Sequence, residues 1–245
     1  MEIIDYILRI IPGFVLFTIF IIMVPRGMKG LRIMGYIMLF ILVRDAMTPL
    51  GFWSFGTGEG FWIRFAPNGP LLALLGISSV ALALGIYFYE GGMRSMIQWF
   101  SRGKCIGAVA GIASAFLITA PLLVMYLGVP MESRGGPFPV SLIPALIAMT
   151  MGGNLYEELL FRGYFQGYLL ENNMGPAPAA FLSGIAFGFG HVFLASTVTS
   201  AGLPLLLFAT WEGIILGFVR MRYGVIPAAL GHGGAIFILA SALAP

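Results

Sequence analysis

Residues 140–161 read VSLIPALIAMTMGGNLYEELLF, and this stretch decides the fold. A helix needs about 20 predominantly apolar residues to cross the hydrocarbon core of a bilayer, and this run is long enough. Helices are the default there, because lipid offers no partners for the backbone of an open strand. The run nevertheless carries two adjacent carboxylates, Glu157 and Glu158, near its end. Ionisable groups inside spans are costly and point to function by default.

Working outward, seven further apolar runs lie at 10–25, 33–52, 70–89, 105–127, 176–196, 203–219 and 225–244. The sequence therefore predicts an all-α, polytopic transmembrane bundle of about eight helices. The run at 33–52 is the weakest, because Arg44 and Asp45 interrupt it. Composition agrees: 59% of the 245 residues are hydrophobic and 9% charged, against about 25% charged in an ordinary soluble domain. Too few polar residues remain to cover a water-facing surface. A single Cys, Cys105, excludes an internal disulfide and a cysteine zinc cluster. No basic stripe with interleaved aromatics is present, so nucleic acid is not an expected partner; membrane lipid is. No internal repeat supports an inverted-repeat transporter. One integral membrane domain is expected over 1–245, with four spans in 1–138 and four in 139–245 that carry the candidate catalytic core.

Lys and Arg in short loops set orientation. One side collects Arg26, Lys29, Arg32, Arg94, Arg102, Lys104, Arg220 and Arg222; the other collects Arg9, Arg44, Arg64 and Arg134. This predicts the first set in the cytoplasm, both termini outside, and a site opening toward the cytoplasm.

With the loop charges set aside, Glu157, Glu158, Arg162, His191, Glu212 and His232 remain, all in the last four runs and including both histidines of the chain. Glu158 and Arg162 are four apart, acid before base, the favoured order for a helical pair. At 3.6 residues per turn Glu157 points about 100° away, free to meet another helix as a general base. Phe187 and His191 share a face at i, i+4, among Gly184, Gly188 and Gly190. His232 sits in Gly231-His232-Gly233-Gly234, and Glu212 offers a partner for one histidine. Taken singly, each has a plain structural reading: an ion pair at a helix end, or an imidazole bonded to a carbonyl between packed helices. Taken together, they satisfy the cost of burial most simply by meeting in one cavity suited to hydrolysis. No HExxH pair and no nucleophile elbow is present.

These residues resemble the CPBP family, the CAAX prenyl endopeptidase or Abi family of intramembrane proteases. Its motifs EExxxR, FxxxH and HxxxN match Glu157-Glu158-Leu-Leu-Phe-Arg162, Phe187-Gly-Phe-Gly-His191 and a third element that begins at His232. The resemblance covers roughly 139–237. It implies an endopeptidase acting on a membrane-associated protein or lipidated peptide, including prenylated CAAX-type substrates. Glu157 would activate water with help from His191, Glu158 and Arg162 would order the site, and His232 would stabilise the oxyanion. The family's Asn four residues after that histidine is Ile236 here, which cannot donate a hydrogen bond; either His232 acts alone, or another donor such as Asn154, one turn before Glu157, substitutes, or activity is weak or lost. The family is described both as metalloproteases and as metal-free glutamate proteases. No cofactor is expected, since no i, i+4 ligand pair is present; a bound Zn²⁺ would take Glu157, His191 and His232. The competing readings are an inactive family member that acts as a membrane scaffold or immunity-type binding protein, and a small proton-coupled transporter.

Overall fold

The computed structural model describes residues 2–56 and 61–242, with all their side chains except those of 2–7 and 9. The side chain of Arg9 and the end of the last apolar run, at 243–244, lie outside the described residues.

Each of the eight apolar runs falls on a helix. These are α1 (Glu2–Met23), α2 (Lys29–Met47), α3 (Gly69–Tyr89), α4 (Lys104–Met125), α5 (Ile143–Glu158), α7 (Pro176–Phe189), α8 (Gly202–Tyr223) and α9 (Val225–Ala240). A π-helical stretch, Leu159–Phe165, joins α5 to the short α6 (Gln166–Glu171) in one continuous rod. Among the described residues, five segments are long and apolar enough to cross a membrane by length and composition; the apolar stretches Ile10–Met23 and Val225–Ala240 are shorter. The chain is an integral membrane protein of helical architecture. The sequence reading missed one element, a two-stranded antiparallel hairpin between α2 and α3, β1 (Trp53–Gly56) and β2 (Trp62–Phe65), paired Trp53 to Phe65 and Gly56 to Trp62.

Long-range bonds sort the helix ends into two groups. At one end, Lys29 Nζ meets Glu171 Oε1 at 2.6 Å, Arg220 donates to the Met96 carbonyl at 3.0 Å, and the Val225 amide donates to the Gln98 carbonyl at 2.8 Å. Also there, buried Arg32 holds Glu90 and the carbonyls of Ile21 and Val24, the latter two at 2.6 Å. At the other end, Arg64 of β2 donates to the Gly136 carbonyl (2.9 Å) and to the Leu239 carbonyl near the end of α9 (2.6 Å), and Tyr126 after α4 donates to the Phe61 carbonyl. Burial lowers the Arg64 pKa from its ordinary value. The hairpin is thereby clamped across the ends of α4 and α9.

Close helix approach fixes the core that carries the site. A Cβ on Gly184 of α7 would lie 2.5 Å from the Ile214 amide nitrogen, and one on Gly213 of α8 would lie 2.7 Å from the Gly184 carbonyl oxygen. Small residues let such backbones touch, the usual device where lipid supplies no hydrophobic drive between helices.

Candidate active site

Glu158 is the hub. It is fully buried, and its Oε1 accepts from Arg162 Nη1 at 2.8 Å and from His232 Nδ1 at 2.9 Å. The pair closes across one turn, as its spacing predicts, although the π-helical stretch begins directly after Glu158. Such stretches cluster at functional sites. Arg162 is shared three ways: Nη2 donates to the Gly213 carbonyl of α8 at 3.1 Å, and the guanidinium lies 4.4 Å from the Phe187 ring centre. Because Glu158 takes a proton-bearing Nδ1, His232 turns Nε2 away from the hub, to 3.7 Å from Glu212 Oε2.

Phe187 explains the aromatic position of its motif. Its ring meets His191 at 4.6 Å between centres and stands edge-to-face with His232 at 5.4 Å and with Phe161 at 5.1 Å. One rigid ring thus spaces both imidazoles and the Arg162 guanidinium. His191 Nδ1 lies 2.8 Å from the Phe187 carbonyl, which can only accept, so Nδ1 carries the proton. The Nε2 lone pair then accepts from Arg44 Nη1 at 3.2 Å. Arg44 also donates to the Gly190 carbonyl at 2.6 Å and to Asp45 Oδ1 at 2.7 Å. It caps the C-terminal turn of α7, where a cation is favoured.

Glu157, His191, Glu212 and His232 line one cavity of about 120 Å³, together with Arg44, Asn154 and Ile236. The aromatic wall comes from the hairpin: Trp53, Phe55, Phe61 and Phe65. Glu157 Oε2 is buried with no hydrogen-bond partner, and so is Asn154 Nδ2. A second, mainly apolar cavity bounded by Phe14, Leu39, Leu75 and Leu82 reaches Glu157 and Asn154 from the side of α1, α2 and α3. Glu157, Asn154, Arg44, Trp53 and Met149 line both cavities.

The five expected site residues therefore gather in one place, with Glu157, His191 and His232 on the cavity wall and Glu158 and Arg162 just behind it. Arg44, Asp45 and the hairpin were missed. Arg44 looked like a loop charge, yet it is buried on α2 and bonded to His191. The loop tally fails similarly for Arg32, Arg64, Arg134 and Arg220, all buried. Helix alternation puts the hairpin, the start of α1, the end of α9 and the cavity in the same half of the molecule, opposite Lys29, Lys104 and Arg220. The hairpin residues that line the cavity thus lie at the end of the bundle away from the basic loops.

The fit to a metal ion is poor. His191 Nε2 already faces the Arg44 guanidinium, and His232 Nδ1 is taken by Glu158. Among the described residues, no three His, Cys, Asp or Glu side chains are grouped to hold an ion.

Compared with known families, residues 139–238 match the family model described as type II CAAX prenyl endopeptidase Rce1-like. No curated protein and no solved structure matches the chain.

Proposed function

We propose, from the membership of residues 139–238 in the Rce1-like CAAX prenyl endopeptidase family, that this membrane protease cleaves a peptide bond of a membrane-associated protein with a water activated by Glu157. The observation that carries the reading is the Glu157 carboxylate, one oxygen buried and unpartnered, in a cavity shared with both histidines. A base must reach a water and remain free to take its proton, and no side chain here competes for Glu157. The water oxygen bonds to the scissile carbonyl carbon while its proton passes to Glu157. The proton then moves to the departing nitrogen as the C–N bond breaks. His191, its tautomer fixed by Phe187, gives its Nε2 lone pair to Arg44, and the two side chains together wall the cavity beside the water. His232, held by Glu158 and flanked by the Glu212 carboxylate, carries a second proton on Nε2 and donates that N–H to the developing oxyanion. The reaction as proposed needs no metal, since the guanidinium against His191 occupies the place of a cation. The apolar cavity that meets Glu157 from the side suits a substrate carrying lipid-embedded chain, a prenyl group included.

The side from which substrate enters follows from exposed charge. Arg26, Arg94, Arg102, Lys104 and Arg222 are exposed and Lys29 half-buried at one end. Among residues with described side chains, the hairpin end exposes Glu132 and no Lys or Arg. Positive charge favours the cytoplasm. We therefore place the termini and the cavity mouth on the outer side, with substrate presented from there. One observation favours a second reading, a family member that binds a partner without cleaving it: Ile236 puts an aliphatic side chain on the wall beside His232.

The test is turnover of internally quenched peptides, with and without a prenyl-cysteine, by the purified full chain and by Glu157→Gln. Cleavage by the wild type alone supports the proposal. No wild-type cleavage across the panel overturns it in favour of the binding reading.

A further inference from the structure

The oxyanion of the proposed reaction needs more than one donor. Transition-state charge in a dry site is stabilised by preorganised hydrogen-bond donors, and deleting one such donor costs roughly 10²–10³ in kcat. On α9 the position one turn beyond His232 is Ile236, which lines the cavity and donates nothing. On α5 a different side chain faces the same space.

We infer that Asn154 is a catalytic residue, the amide donor that pairs with His232 to hold the oxyanion. Three observations support the assignment, and all of them rest on the protease reading above. Asn154 is 9% exposed, so the protein encloses it almost entirely. Its Nδ2 is buried without a partner, although a buried amide left unpaired costs about 1–3 kcal/mol. Such a group persists where something outside the resting protein completes it. Finally, Asn154 lines both cavities beside Glu157, three residues before it and so on the same side of α5. The carbonyl that the Glu157 water attacks has its oxygen between the α5 wall, with Asn154, and the α9 wall, with His232. A carbonyl oxygen at that point completes the unpaired N–H, and because the bond strengthens as the oxyanion develops it raises kcat.

The experiment is a double-substitution cycle on the full chain in detergent, using whichever quenched peptide the wild type cleaves. Asn154→Leu keeps the volume and removes the donor. It is expected to lower kcat by roughly 10²–10³ with KM changed only a few-fold. Ile236→Asn supplies an amide from the facing helix, at a position that already lines the cavity and with a side chain smaller than isoleucine. It should restore at least about tenfold of the lost kcat in the Asn154→Leu protein, and its effect there should exceed its effect in the wild type by a similar factor. An Asn154→Leu protein that keeps half its kcat, or an Ile236→Asn gain equal in both backgrounds, overturns the assignment and leaves the protease reading standing. A gain of tenfold or more in the wild type also overturns it, because the second donor would then have been missing all along. That arm decides alone if Asn154→Leu does not fold. If the wild type cleaves nothing, the protease reading fails and this inference fails with it.

Discussion

Replacing Glu158 by Gln removes one negative charge from a fully buried position. Arg162 then keeps its full charge at 0% exposure, with the Gly213 carbonyl and the Phe187 ring as its remaining partners. Breaking a buried ion pair from one side costs roughly 3–5 kcal/mol. The amide still offers one oxygen, so the lower figure applies, about 3 kcal/mol. For a chain of this size 1 kcal/mol lowers Tm by about 2–4 °C, which gives a drop of roughly 6–12 °C. The assay is the temperature at which the detergent-solubilised protein loses its monodisperse size-exclusion peak. Arg162→Leu should be about as damaging alone, since it strands Glu158 with His232. The double variant should lose less than the sum of the two by about 2–3 kcal/mol, because neither charge is left stranded. Turnover should fall in all three variants, since His232 loses its anchor. A Tm drop under about 2 °C for Glu158→Gln, or strictly additive losses, would refute the hub, because exposed pairs are worth only about 0–1 kcal/mol.

Arg44→Met should reduce turnover about 10–100-fold, as loss of a partner that orients a catalytic ligand typically does. Adding Asp45→Asn should recover stability but not turnover, and full activity in Arg44→Met would remove Arg44 from the site. Turnover should survive incubation with a metal chelator followed by its removal; loss that Zn²⁺ restores would overturn the metal-free mechanism. In a Cys105→Ala background, a membrane-impermeant maleimide applied to intact cells should label Glu132→Cys and spare Lys29→Cys, and the reverse pattern would put the cavity mouth in the cytoplasm. Glu157→Gln should be as thermostable as the wild type or more so, since it removes a carboxylate that has no partner to lose; a large drop in Tm would show that Glu157 is structural.

What the sequence made legible was local. Apolar run length located the helices, and spacing within one turn brought Glu158 to Arg162 and Phe187 to His191. Contacts between helices were legible only as an argument from cost: buried charges had to meet, and they do. Arg44 and Asp45 interrupt the second run, and the same cost places them among the buried groups. Asp45 is fully buried, and Arg44 finds its histidine 147 residues away, a separation that no periodicity reports. The hairpin did leave a signal. Trp53 and Phe55 alternate, Trp62 to Phe65 is rich in aromatic and β-branched residues, and Gly56, Gly58 and Gly60 lie between them, a pattern that reads as two strands and a turn. An expectation of helices alone suppressed it, although a strand pair is tolerated where it is clamped to protein rather than exposed to lipid.

Orientation turns on the same physical distinction between buried and exposed charge. The positive-inside rule concerns arginines and lysines that meet water and lipid headgroups. Arg32, Arg44, Arg64, Arg134 and Arg220 meet carbonyls, carboxylates and rings instead. Removing them takes three residues from the hairpin end and two from the basic end, so the asymmetry sharpens rather than fades. The division at residue 138 loses its functional meaning too, since the wall facing Glu157 and His191 is built from Arg44, Trp53, Phe61 and Phe65 of the first half. A substrate entering this cavity touches those residues as well as the motif residues. Differences in specificity among chains that share the motifs are therefore expected to lie in the hairpin and the end of α2, outside the segment by which the family is detected.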